Sequence, residues 1–261
     1  MAEIYEKAVS DKETQNFVAN VVQELKNPLS IISGYLENLR EPTTLNDTDF
    51  RENVLDTMDR NVGRINRVVD DLLTISKLES REKSPLDRGL FNIASCARNV
   101  FERLETVIKK QQADVDIQIP DIEIEGDEFY WSEILLKLIE NSINQNLDTA
   151  VKIRVSAELN NDESFTIRVC DNGIGIPPPD LPFIFERFYR VKRHRPDIPR
   201  KGIGLGLSIV KQAVEAHGGS IRVRSIPKVE TLFVIVVPHF KDPIEEIAPS
   251  AERRVFSFKD T

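Results

Sequence analysis

Cysteine and histidine are scarce in this chain: two and three copies among 261 residues. Cys96 and Cys170 lie in apolar stretches with no metal-like spacing, and read as small core residues of a reducing compartment. His194, His217 and His239 are scattered through the C-terminal half and offer no zinc-site pattern. A surplus of basic charge is missing too. The formal net charge is −8, which argues against nucleic acid as a partner. Apolar runs fall short of the roughly 20 residues that cross a bilayer, and no charged-then-apolar leader opens the sequence. The expected address is therefore the cytoplasm, with no membrane segment in this chain. The anchor of any membrane-bound parent protein would lie outside it.

What is present is the make-up of a globular protein, 40% hydrophobic and 30% charged, long enough for two modest domains. Phe17, Val21, Leu25, Leu29, Ile32, Leu36 and Leu39 recur at spacings of three and four, which predicts one apolar face of a long helix. Residues 41–44 break the pattern, and Asn46 or Asp47 offers a cap for a second helix. That helix carries Phe50, Val54, Met58, Val62, Ile65, Val69, Leu72 and Ile75 in the same rhythm. A hairpin of this length cannot bury both stripes within itself, so pairing with a second copy into a dimeric four-helix bundle is expected.

The polar stretch 80–88, with Pro85, reads as a hinge. Helices are expected at 93–110, 128–144 and 205–217. Alternating strands are expected at 115–119, 151–159, 165–169, 221–224 and 232–237, with Asn160-Asn161-Asp162 as a turn. The fold class is thus α+β: a helical hairpin (1–80), a hinge (81–91), an α/β sandwich (92–240) and a charged tail (241–261).

Three segments of the second domain carry ligand chemistry. Asp171-Asn172-Gly173-Ile174-Gly175-Ile176 closes a strand, and Gly202-Ile203-Gly204-Leu205-Gly206-Leu207 leads into a helix. Asn141 lies late in the 128–144 helix. Glycines so spaced let backbone approach a ligand closely, and a helix N-terminus offers free N–H groups to phosphate. An aspartate closing a strand accepts from an exocyclic amine such as adenine's, and a helix asparagine offers a neutral oxygen to Mg²⁺.

In this order the segments resemble the N, G1 and G2 boxes of the GHKL (Bergerat) ATPases. Phe185-Glu186-Arg187-Phe188-Tyr189-Arg190 resembles the F box of sensor histidine kinases. The resemblance spans residues 17–238 and implies ATP and Mg²⁺ as cofactors. It gives Asn141 to the metal, Asp171 to adenine, and Gly173, Gly175 and Ile176 to the first loop. Residues 202–207 would hold the phosphate end. Tyr189, Arg190 and Lys201 would be nucleotide contacts, and 177–201 a lid that also carries Lys192, Arg193, Arg195 and Arg200. One departure stands in the N box: Lys137 occupies a place where many relatives have asparagine. A lysine there could bind phosphate directly or impair hydrolysis.

Residues 17–29 resemble the H box of histidine kinases, whose core is His-Glu-x-x-(Thr or Asn)-Pro. All matches except the first residue, which is Gln23. An imidazole nitrogen has a free lone pair for attack on phosphorus, whereas a carboxamide nitrogen has its pair delocalised into the carbonyl. Glutamine keeps the reach and the hydrogen bonds but not the nucleophile. A deliberate His→Gln change and a naturally degenerate kinase both fit. The resemblance casts Glu24 as the residue that helps deprotonate the acceptor. Asn27 would position the water that dephosphorylates a response-regulator receiver domain, and Pro28 would loosen the helix. Three readings stand at this point: a histidine kinase core blocked at Gln23, a pseudokinase scaffold with weak or no nucleotide binding, and a gyrase- or chaperone-like ATPase. The last lacks the 23–28 pattern and needs further domains.

Overall fold

The computed structural model describes residues 2–40, 48–80, 86–146, 150–160, 164–191 and 203–238, with side chains from residue 15 onward. The expected cap at 46–47, Pro85, the turn residues Asn161 and Asp162, His194, His239 and the tail lie outside the described residues.

Two long helices, α1 (Ala2–Asn38) and α2 (Thr48–Glu79), pack against each other as the expected hairpin. Asp49 in the first turn of α2 and Lys77 in its last complement the helix dipole. The α1 helix runs through Pro28 without ending. Pro28 itself is buried, so packing offsets the lost backbone donor. Between the helices, Arg64 donates to Glu24 at 2.6 Å.

The second unit starts earlier than the pattern suggested. Gly89–Asn92 forms a short strand, β1, paired antiparallel with β3 (Glu123–Gly126). The local pattern puts residues 89–91 in the hinge and predicts no strand at 123–126. Four-residue strands are too short for a period-two signal, and in β1 only Phe91 is buried. Asn92 also caps the next helix, α3 (Ile93–Gln111), by accepting from the Ser95 N–H at 2.8 Å.

The main sheet has five strands in the order β2-β4-β5-β7-β6: β2 is Asp114–Gln118, β4 Lys152–Leu159, β5 Ser164–Asp171, β6 Ser220–Ile226 and β7 Glu230–Pro238. Only the β2–β4 pair is parallel. Along β7, Phe233, Ile235 and Val237 are buried while Leu232, Val234 and Val236 are half-buried, as one covered face requires. Helix α3, helix α4 (Glu128–Gln145) and helix α5 (Gly206–Ala216) join that face in a single core, with Trp131, Phe165 and Phe233 its largest fully buried side chains. This is the expected two-layer α+β sandwich. Val68, Ile75 and Leu78 of α2 belong to the same buried cluster, so the sandwich sits directly on the hairpin.

Candidate functional site

Asp171 ends β5 at the edge of helix α4. Its carboxylate accepts from the Ser142 hydroxyl at 2.9 Å and from the Gly173 N–H at 2.9 Å, and the residue is only 5% exposed. Burial pushes its carboxyl above the ordinary value, opposed by the bonds from Gly173, Ser142 and Asn146. Asn146, 4% exposed, ties the loop to the helix: it donates to the Ser142 carbonyl at 2.7 Å and accepts from the Ile174 N–H at 2.7 Å. A Cβ on Gly173 would lie 2.1 Å from the Asn146 side chain, so any larger residue would push Asn146 off its bonds. Gly175 has φ +69°, and a Cβ there would lie 2.7 Å from the Ile226 carbonyl oxygen. The Ile176 N–H donates to Ser225 Oγ at 2.8 Å, and the Lys228 N–H donates to the Ile174 carbonyl at 2.8 Å. The loop is thus clamped between α4 and the β6–β7 turn. Sequence reading assigned no role to Ser142 or Asn146.

The second glycine segment meets the aromatic one. Gly204 has φ +83°, and its Cβ would lie 2.8 Å from the Phe188 backbone. The Phe188 N–H donates to the Gly204 carbonyl at 2.9 Å. Phe188 itself takes φ +62°, an uncommon conformation for an aromatic residue. Ile203 and Leu205 are buried in the core, and Leu207 packs against it from the first turn of α5. Among the described residues no side chain caps the N-terminus of α5, and the first turn of a helix directs its backbone donors toward an outside acceptor. Tyr189 donates to Asp180 at 2.5 Å and stacks near Phe183 with ring centroids 5.6 Å apart. Lys201, Gly202 and the lid cations Lys192, Arg193, Arg195 and Arg200 lie outside the described residues.

On helix α4, Asn141 is half-buried, and its carbonyl oxygen accepts from Gln145 at 3.3 Å. That weak bond leaves a lone pair for a cation. One turn earlier, Lys137 donates to Asp71 of α2 at 2.5 Å and lies 3.7 Å from Glu133. Burial alone would lower the Lys137 pKa, but Asp71, Glu133 and Glu140 together carry it above the ordinary lysine value. In this arrangement its ammonium meets a carboxylate of the stem.

Two family models match the chain: "Histidine kinase-, DNA gyrase B-, and HSP90-like ATPase" over residues 126–241 and "His Kinase A (phospho-acceptor) domain" over residues 13–81. The sensor histidine kinase WalK of Bacillus subtilis is 33% identical over 242 residues, which is 91% of this chain and 38% of WalK. The signal transduction histidine-protein kinase ArlS of Staphylococcus aureus is 32% identical over 227 residues, 87% of this chain and 49% of ArlS. The chain belongs to the histidine kinase family. It spans less than half the length of these two relatives. Among solved structures, the histidine kinase AdeS of Acinetobacter baumannii shares the fold with a TM-score of 0.66 at 22% identity, covering 84% of this chain and 98% of that one. The histidine kinase ThkA, solved in complex with the response regulator protein TrrA, has a TM-score of 0.64 at 22% identity, covering 92% of this chain and 68% of that one.

The stem segment 17–29 approaches the sandwich. Gln23 and Asn27 are both exposed, and their spacing of four puts them on one helix face. Glu24 is half-buried; besides Arg64 it has Arg190 at 3.9 Å. Arg190 thus faces the stem rather than standing apart from it. Phe17 meets Phe188 with ring centroids 5.4 Å apart, and Arg187 lies over the Phe17 ring and pairs with Glu79. The fold therefore brings Glu24, Phe188 and Arg190 together, with Asp171, Gly173 and Asn141 in the same sandwich. No helix of the described residues is long and apolar enough to cross a membrane.

Proposed function

We propose that this chain is the dimeric core of a two-component sensor kinase that binds ATP with Mg²⁺ but cannot accept phosphate at position 23. One observation carries the reading: the buried Asp171 carboxylate, fixed by Ser142 and the Gly173 N–H, is an acceptor suited to an exocyclic amine. The same helix presents the Asn141 carbonyl to a cation. Bound ATP would supply the phosphoryl group and Mg²⁺ would shield its charge. Asp171 would orient the base, and the uncapped N-terminus of α5 would receive the phosphates. Gln23 offers no nucleophilic lone pair, so autophosphorylation is blocked and no phosphate passes to a response-regulator aspartate. Asn27, exposed on the Gln23 face, is free to position water on a phosphorylated receiver domain, which gives phosphatase activity without kinase activity. A core that draws on ATP and serves a receiver domain would work in the cytoplasm.

Calorimetry with ATP, with and without Mg²⁺, tests binding. Radiolabelled ATP tests the block: no acid-labile label is expected on the Gln23 chain, whereas Gln23→His gains label. Label on the unchanged chain would refute the block. A pseudokinase scaffold is the second reading, favoured by the capture of Lys137 by Asp71 beside the metal position. An absence of binding heat would support it.

A further inference from the structure

The basic side chain at the heart of the nucleotide face is bonded to the stem. Lys137 lies on the same face of α4 as Asn141, and its stem passes the G2 segment: Lys137 Cδ is 3.7 Å from the position a Cβ would take on Gly206. Gly206 opens α5, whose N-terminus no side chain caps among the described residues. The ammonium instead bonds Asp71 of α2 at 2.5 Å, with the two side chains 13% and 12% exposed. Glu133 at 3.7 Å adds a second carboxylate, and Glu140 and Arg67 act on the same charge cluster. One cation is thus bonded to a stem carboxylate while its side chain runs beside the first residue of α5.

We propose that Lys137 is a phosphate-binding residue of the nucleotide site held in reserve by Asp71, so that nucleotide binding and docking of the sandwich on α2 compete for it. This rests on the nucleotide reading above. The physics is that of a shared counter-ion. A lysine buried between carboxylates is released only when another anion replaces them, and two ligands contending for one group weaken each other equally. A stem that undocks when phosphate arrives would free the sandwich to move over α1.

A double-mutant cycle with Asp71→Asn and Lys137→Asn, read as the affinity for a non-hydrolysable ATP analogue by calorimetry, tests the competition. Asp71→Asn should tighten binding at least about five-fold more with Lys137 present than in the Lys137→Asn background. An equal effect in both backgrounds, or none, overturns the proposal. Hydrogen exchange of residues 66–78 is the second readout. Those amides should lose protection when the analogue binds the native sequence, and should already be less protected in Asp71→Asn. Unchanged protection in both cases overturns it as well. Since removing one member of a buried pair can destabilise the fold, Asp71→Leu with Lys137→Met replaces both by apolar groups. In that variant the exchange of 66–78 should no longer respond to nucleotide, and a persisting response counts against Lys137. If neither the native chain nor Asp71→Asn binds the analogue, the nucleotide reading falls and takes the competition with it. Exchange in Asp71→Asn then still reports whether the docking contact exists.

Discussion

At the residue scale, Asp171 is a carboxylate whose environment works against its charge. Its folded-state pKa lies above the ordinary value because burial outweighs three hydrogen bonds. The native state therefore holds its proton at a pH where the unfolded chain has released it. The stability this contributes is present below the ordinary carboxylate pKa and is lost as pH rises through the raised one. Asp171→Asn should flatten that part of the pH dependence of the urea midpoint and abolish adenine nucleotide binding. An unchanged slope would contradict the assignment. Asn146 ties the loop beside it to helix α4. Asn146→Ala leaves the Ile174 N–H without its acceptor and should cost about 1–3 kcal/mol, measured by urea unfolding, together with a loss of nucleotide affinity of more than about ten-fold. Asp171, Gly173 and Gly175 were legible because their spacing carries a known backbone demand. Asn146 was not: a polar residue just past a helix looks solvated until the fold turns it onto the loop, and nothing in its neighbours signals that turn.

At the scale of elements, the second glycine segment and the aromatic segment act as one clasp. Gly204 and Phe188 both sit at positive φ and touch through backbone, so neither segment keeps its shape without the other. Gly204→Ala adds both a strained φ and a Cβ 2.8 Å from Phe188. It should cost about 1–3 kcal/mol, seen as a lower thermal midpoint, and should weaken nucleotide binding more than the equivalent change at Gly206. There the nearest atom is 3.7 Å away. Equal losses at the two positions would mean that the clasp does not shape the site. The long helices and the alternating strands were read correctly because periodicity accumulates over many residues. Strands β1 and β3 escaped because pairing between residues 31 to 37 positions apart, not local pattern, creates them: Gly126 faces Gly89 and Glu123 faces Asn92. The Lys137–Asp71 contact escaped for the same reason. Sequence gave the lysine two possible roles near phosphate, and only the fold supplied its carboxylate.

At the scale of the molecule, the hairpin still has apolar surface to cover after the sandwich has docked. Val18, Val22, Leu29 and Leu36 of α1 and Leu55, Val62, Val69 and Leu73 of α2 are exposed, between 42% and 56%. Val54, Val68 and Ile75 of α2 are by contrast buried within the single chain. The exposed set runs along both helices at spacings of four and seven, the seam of a bundle rather than a scatter of lone residues. Each Val or Leu fully buried is worth about 1.5–3 kcal/mol, and a twofold pairing counts every position twice. The proposed dimer would cover this surface. Leu55→Glu with Val62→Glu sits on the seam, away from Val68, Ile75 and Leu78, which dock the sandwich. The variant should sediment as a monomer, with its dimer dissociation constant raised by at least about 100-fold, while its affinity for an ATP analogue stays within about two-fold of the native chain. A dimer that survives both charges would place the interface elsewhere. A parallel loss of nucleotide binding would mean instead that the stem and the sandwich fold as one cooperative unit, so that the seam could not be removed without disturbing the site.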